Sequence, residues 1–297
     1  MNGNKKLSLK QIAMSHYPVL ILGPSGAGKS TLARKLHKLS MNGDSEFKSI
    51  NIGAMSENLF DSLLFGHKKG AFTGADRDQV GFCESVNNGT LFLDEIGDLS
   101  IEMQGKLLEL CDHQKFYKLG DPTIKKFKGR LIFATNKNLE QKVKKGEFRE
   151  DLYYRLRFLQ IDLEPLRDLS NCVEIIYYEC KNRKLVFTDK AWNALVNYTW
   201  PGNYRELKQT LDYLELYNQV IDIGQLPLWL KSSSEVIETK TYQKAINSFE
   251  YSFLKRNYLK NKGKLNQTAR NLEMNKVTLI SKLKKYDIPN EYKKMIN

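Results

Sequence analysis

Apolar positions along the chain fall into two regimes. Up to about residue 167, short continuous apolar runs alternate with stretches of helical spacing. Residues 18–22 (PVLIL), 90–96 (TLFLDEI) and 130–135 (RLIFAT) have the length and content of strands covered on both faces, as parallel strands are. Residues 47–51 and 158–163 read as further strands, with Pro165 closing the last. Helical spacing falls at 58–65, 81–86 and 105–112. Residues 115–129 are polar, basic and broken by Gly120 and Pro122, which predicts a surface loop. The alternation predicts an α/β core with a parallel sheet.

Beyond that point the buried-strand runs stop. Residues 172–181 and 189–198 space their apolar positions three and four apart, and WPGNYREL (200–207) opens a helix predicted to continue to about residue 217. KSSSEVIETKT (231–241) is a Ser-rich, polar linker. A helix is predicted over 242–259, with Phe249 and Phe253 on one face. Two short helices follow at 266–272 and 275–286, around Glu273 and Met274, with Asn266 and Asn275 as N-caps. Ala269, Leu272, Val277, Ile280 and Leu283 would form their apolar seam, a helix-turn-helix arrangement. The pattern divides the chain into an α/β core at 1–167, a helical subdomain at 168–231, a linker at 232–241 and an all-α unit at 242–297.

Composition adds little until charge is considered. The 297 residues are 41% hydrophobic and 27% charged, ordinary for a soluble globular protein. No run approaches the ~18 apolar residues of a membrane span, and the first residues contain no signal-peptide core. Cys83, Cys111, Cys172 and Cys180 form no metal-binding spacing and predict reduced thiols in the cytoplasm. The net charge of +13 is uneven, since residues 240–297 hold 14 Lys/Arg against 4 Asp/Glu. Such a basic block suits either a nucleic-acid footprint, double-stranded DNA for a helix-turn-helix, or a merely soluble, lysine-rich tail.

The chemistry lies where strands end. Gly23, Pro24, Ser25, Gly26, Ala27, Gly28, Lys29 and Ser30 spell the G-x-x-x-x-G-K-[ST] loop between a strand and a helix, with Thr31 next. Its backbone N–H groups and helix N-terminus suit the phosphates of ATP. Lys29 would reach the β/γ-phosphates, and Ser30 would ligate Mg²⁺. Asp94 is placed to hold Mg²⁺ and Glu95 to deprotonate the attacking water. Asn51, Thr135 and Asn136 end neighbouring strands at the edge where α/β sheets bind ligands. Thr135 and Asn136 suit either the γ-phosphate and water or simple strand capping. Arg149 and Arg155 lie outside the P-loop half of the site, and suit either a transferring phosphoryl group across a subunit boundary or local salt bridges. Arg205 sits in a helix's first turn, unfavourable for a cation unless it faces an anion elsewhere. GHKKGAFTGA (66–75) is a glycine-rich loop carrying an aromatic tip: Gly70, Ala71, Phe72, Thr73, Gly74 and Ala75. Alone it reads as a hairpin with Phe72 tucked inward; inserted in an ATPase core it reads as a contact surface. In the last predicted helix, Asn275, Lys276, Thr278, Ser281, Lys282 and Lys285 offer donors to bases and phosphates.

These motifs resemble the bacterial enhancer-binding proteins, the AAA+ ATPases that activate sigma-54 RNA polymerase. The likeness runs from about residue 18 to 288, and its most specific marks are GHKKGAFTGA (66–75), TLFLDEIGDL (90–99), FREDLYYRL (148–156) and WPGNYREL (200–207). Residues 266–288 resemble the Fis-type DNA-binding domain. The resemblance implies a five-stranded parallel sheet of AAA+ type with a helical lid, and a ring, usually a hexamer, with ATP between protomers. It implies that Asp94 and Glu95 are the Walker B carboxylates and that Asn51 pairs with Glu95 and relays nucleotide state. It places Thr135 and Asn136 as sensor I, Arg149 and Arg155 as trans-acting arginines, and Arg205 as sensor II. Residues 70–75 would contact the sigma-54 RNA polymerase holoenzyme, beside a pore-side loop at 115–129. Against the family pattern, only 17 residues precede Pro18, many members have Glu at the place of Ser30, and Gly is usual at the place of Glu273. No receiver or sensory domain precedes the core, leaving control by a separate regulatory protein, constitutive activity or a fragment as alternatives. A regulator that uses nucleotide only to oligomerise, and a different AAA+ remodeller, remain the competing readings.

Overall fold

A computed structural model describes residues 7–53, 55–217, 220–232, 250, 251, 253–255, 257, 258, 261, 263–286 and 288. The chain divides into two compact units, Met1–Leu230 and Lys231–Asn297.

The first unit is built on a five-stranded sheet. Its strands are β1 (Val19–Leu22), β2 (Phe47–Asn51), β5 (Thr90–Asp94), β8 (Arg130–Thr135) and β9 (Gln160–Asp162), all parallel, in the order β2-β5-β8-β1-β9. β8 is buried along its whole length, as its unbroken apolar run requires. Alternate side chains feed opposite layers. Leu20, Leu91, Leu93 and Phe133 pack with helices Glu57–Phe65, Ile101–His113 and Glu150–Leu156. Val19, Ile21, Phe92 and Ile132 pack with helices Leu9–Met14 and Lys29–Lys38. Ser100 caps the Ile101–His113 helix by accepting from the Met103 N–H, so that helix begins a turn before the predicted 105.

Two small hairpins leave this sandwich. One pairs β3 (Gly66–His67) with β4 (Gln79–Val80); the other pairs β6 (Lys115–Phe116) with β7 (Lys125–Lys126). The second corrects the expectation of a plain surface loop at 115–129. Phe116 and Phe127 are buried, anchoring a polar excursion whose strands are too short to show a period.

The helical subdomain has its own core of Leu166, Ile176, Leu195, Trp200, Leu207 and Leu211 among others. The helix opened by WPGNYREL spans Asn203–Leu214, stopping before the predicted residue 217.

In the second unit the described residues from 250 to 258 are helical. Helices Leu265–Asn271 and Lys276–Lys285 follow, around a core of Leu254, Tyr258, Ala269, Leu279 and Leu283. Residues 233–241 of the expected linker, and the start of the helix expected at 242–259 with its Phe249, lie outside the described residues. Asn275 is an N-cap as expected, accepting from the Val277 N–H, whereas Asn266 lies inside its helix, whose N-cap is Lys264. That helical phase puts Leu279 and Leu283 inside and leaves Val277 73% exposed, so Val277 is not part of the seam. Glu273 takes the turn at φ +50°, a conformation that costs a side chain roughly 1 kcal/mol.

Candidate active site

The register of the sheet lines up its carboxyl ends. Asn51 pairs with Asp94 across β2 and β5, and Leu22 pairs with Thr135 across β1 and β8. The chain leaving β1 turns through residues 23–28 into helix Lys29–Lys38, whose N-cap, Gly28, makes no side-chain cap. That uncapped N-terminus faces the same edge. The Gly23 N–H donates to the Thr135 carbonyl at 3.3 Å, tying the start of the loop to β8.

Lys29 is 6% exposed. Its ammonium donates to the Gly23 carbonyl (3.1 Å) and lies 3.4 Å from Glu95 Oε1. Ser30 Oγ donates to Asp94 Oδ2 at 3.2 Å. Burial, with the neighbouring Glu95 charge second, pushes the Asp94 carboxyl above the usual carboxylate range. A carboxylate and hydroxyl at this separation, beside a buried ammonium and an open helix N-terminus, form a donor set that fits a magnesium-bound nucleotide triphosphate.

Glu95 adopts a left-handed backbone, φ 58° and ψ 46°. Such strain in a non-glycine residue persists only where its surroundings over-determine it. Here its Oε2 accepts from the Asn136 N–H (3.1 Å) and Thr135 Oγ1 (3.4 Å), while Oε1 faces Lys29. Thr135 is fully buried and also accepts from the Lys137 N–H. Asn136 thus contributes its backbone to Glu95. Asn51 Oδ1 accepts from the Gly53 N–H instead of meeting Glu95, which is held from the β8 side. The pairing expected of Asn51 and Glu95 is therefore absent from this arrangement, because the turn after β2 engages the amide locally.

Arg149 and Arg155 stand apart from this cluster. Arg149 forms a two-pronged pair with Asp151, and Arg155 an ion pair with Asp112. Both side chains are more than two-fifths exposed. Buried Gln104, which pattern reading missed, accepts from the Arg149 N–H at 2.7 Å and fixes where that arginine leaves the core. Arg205 does reach the P-loop: its Nη1 donates to Ser25 Oγ at 3.0 Å.

The glycine-rich loop spans the tip of the first hairpin. Thr73 and Gly74 are exposed, Phe72 is half-buried and Ala75 is buried. Phe72 therefore neither tucks fully inward nor stands free; its ring meets buried His67 edge-on at 5.0 Å. Ala75 is a correction to a contact surface running through all of 70–75, because its N–H donates to the Phe72 carbonyl and folds it under the tip. The second hairpin lies alongside, the Leu119 N–H donating to the Gly66 carbonyl and the Lys68 N–H to the Leu119 carbonyl.

In the second unit, Lys276, Thr278, Ser281 and Lys285 are exposed on one helix. Lys282 pairs with Glu250, which also lies 4.0 Å from the Lys285 ammonium. The Asn275 side-chain oxygen Oδ1 is occupied in capping, accepting from the Val277 N–H.

The P-loop between β1 and its helix, the strand order and the attached helical subdomain define an AAA+ ATPase fold with its lid. The sigma-54 interaction domain family matches residues 4–162, and the AAA+ ATPase lid domain matches residues 166–243. The chain belongs to the sigma-54 interaction domain family. It is 35% identical over 285 residues to the transcriptional regulatory protein ZraR of Salmonella typhimurium, covering 93% of this chain and 65% of that protein. It is 41% identical over 213 residues to the Sigma54-dependent transcriptional activator SfnR of Pseudomonas putida, covering 69% of this chain and 58% of the relative. The crystal structure of NtrX from Brucella abortus in complex with ADP superposes with a TM-score of 0.71 at 25% identity, covering 94% of this chain and 67% of that one. The chain therefore spans 58–65% of the length of the two curated relatives. No helix among the described residues is long and apolar enough to cross a membrane.

Proposed function

We propose that this protein is a sigma-54-dependent transcription activator that hydrolyses ATP in a cytoplasmic ring, a hexamer, to remodel the closed polymerase–promoter complex. The observation that carries the reading is the exposed Thr73–Gly74 tip on a hairpin rooted in the same domain as the Lys29, Ser30, Asp94 and Glu95 cluster. Gly23–Thr31 and Arg205 hold the nucleotide, with Ser30 and Asp94 as magnesium ligands. Bound magnesium supplies charge neutralisation at the β- and γ-phosphates. Glu95 takes the proton of the attacking water, and the Asn136 N–H and Thr135 hydroxyl fix its orientation. Arg149 and Arg155 serve the site of the neighbouring protomer, and Asn51 acts in the relay of nucleotide state to the loop.

The proposed domains are the core at 1–167, the lid at 168–231, a linker at 232–241 and a Fis-like helix-turn-helix at 242–297. Its exposed Lys276, Thr278, Ser281 and Lys285, with Asn275 and Lys282, meet upstream double-stranded DNA. A DNA affinity that falls steeply with salt is expected from the basic excess. The test is ATP-dependent open-complex formation at a sigma-54 promoter. T73A is expected to abolish it while hydrolysis continues; full open-complex formation by T73A overturns the reading.

A further inference from the structure

One buried amide joins the P-loop to the lid. Asn203 opens the lid helix Asn203–Leu214 and is 2% exposed. Its Nδ2 donates to the Ser25 carbonyl in the P-loop at 2.9 Å and to the Pro201 carbonyl at 3.3 Å. Its Oδ1 accepts from the Leu166 N–H at 2.8 Å, in the short helix where the core gives way to the lid. Asn203 thus holds the phosphate loop and the hinge with opposite ends of one side chain.

The surroundings fix that side chain in place. Asn203 sits at φ +54° and Trp200, three residues earlier, at φ +52°. Asparagine is among the few side chains that tolerate this region. Trp200 is buried and donates through Nε1 to the Leu195 carbonyl, anchoring the turn in the lid core. The Gly202 N–H donates to Glu206 Oε2 at 2.8 Å. On the other side, a Cβ on Gly26 would lie 2.1 Å from the Gly202 carbonyl, so the phosphate loop rests directly on this turn. A further hydrogen bond between lid and loop, Arg205 Nη1 to Ser25 Oγ, is solvent-exposed.

We propose that Asn203 is a positioning residue that couples the P-loop to the lid: reorientation of the loop backbone at Ser25 is passed through the amide to the Leu166 hinge. The proposal rests on the reading of residues 23–31 as a nucleotide site. A polar group buried on both sides has no water to substitute for a lost partner. The link therefore works in both directions, and a lid held by Asn203 favours nucleotide as much as nucleotide favours the held lid.

Two variants divide the roles. N203G removes the amide at a φ that suits glycine. N203D keeps the acceptor for the Leu166 N–H and loses the donor to Ser25. On the full chain, mant-ATP fluorescence titration measures affinity, and hydrogen exchange of the 203–214 segment with and without saturating ATPγS measures coupling. The wild type is expected to bind mant-ATP and to slow exchange in that segment on binding. Both variants are expected to bind roughly tenfold more weakly, and to lose the slowing even at saturation.

Retention of nucleotide-dependent slowing by either variant overturns the proposal. So does weakened affinity in N203D alone, which is a charge effect. Should N203G not fold, N203D decides through exchange at saturation, where charge alone would leave the slowing intact. A wild type that binds nucleotide without slowing of the lid also overturns the coupling. A wild type that fails to bind mant-ATP overturns the nucleotide site itself, with K29A as the reference for a dead loop.

Discussion

The two acidic–basic clusters on the core differ in kind. Around Glu95, buried Lys29, fully buried Thr135 and the backbone N–H of Asn136, just past β8, close on one carboxylate in a strained backbone. Around Arg149 and Arg155, two exposed guanidinium groups each meet one exposed acid, Asp151 and Asp112, and Arg155 also donates to the Cys111 carbonyl at 3.1 Å. Exposed ion pairs contribute about 0–1 kcal/mol, so little stability is lost when those arginines leave their partners. The first cluster is finished within the chain. The second is held loosely enough to exchange its carboxylates for an anion brought by another molecule.

The largest effect that can break this contrast is on the exposed side. If Arg155 acts across a boundary, R155A lowers steady-state ATP turnover by about 10³-fold or more, while thermal stability shifts by under ~1 kcal/mol. Mixing R155A with E95Q chains should restore part of the turnover, because some interfaces then join an intact arginine to an intact glutamate. No restoration would place both groups in one chain's site.

E95Q is expected to lower turnover by about 10²–10⁴-fold with mant-ATP affinity retained. Wild-type turnover would remove Glu95 from the role of base. Next comes packing beneath the finished cluster: a Cβ on Gly97 would lie 2.8 Å from Thr135 Oγ1 and 3.0 Å from Lys137 Cβ. G97A should cost roughly 1–3 kcal/mol in urea denaturation and slow hydrolysis by displacing Thr135. Unchanged values for both would show that the wall beside Glu95 yields.

The smallest effect concerns Asp94, whose carboxyl is raised by burial and by Glu95. A folded-state value above the unfolded one means that the folded chain binds the extra proton. Its penalty is therefore absent below the unfolded value and present in full above the folded one. In magnesium- and nucleotide-free buffer at neutral pH, D94N should melt about 1–3 °C higher while losing magnesium-dependent hydrolysis. The melting gain should shrink as pH falls through the raised folded-state value and vanish below the ordinary carboxylate range. A gain independent of pH would deny that the charge is its source.

Much of the first cluster was legible because it is local. Gly23–Ser30 and the carboxylates after TLFL announce themselves by spacing, and unbroken apolar runs located β1, β5 and β8. The missed pieces are single neutral amides acting over distance. Asn203 meets Ser25 from 178 residues away and Gln104 meets Arg149 from 45, and neither leaves a period or a charge pattern. The hairpin at 115–126 escaped because two-residue strands carry no alternation. In the second unit the helices were visible but their phase was not, since the true N-cap of the first, Lys264, is a poor capping residue.

The tip of the first hairpin separates shape from freedom. Gly70 and Gly74 hold φ +82° and +96°, yet a Cβ at either would meet nothing within 4 Å. Crowding does not demand glycine there; handedness does. A mirror-image residue, D-alanine introduced by semisynthesis, would occupy that backbone region without strain and narrow the alternatives open to it. Such a chain would keep the outline of the loop while stiffening its two pivots, so a stroke and a mere docking contour would become distinguishable in the same molecule.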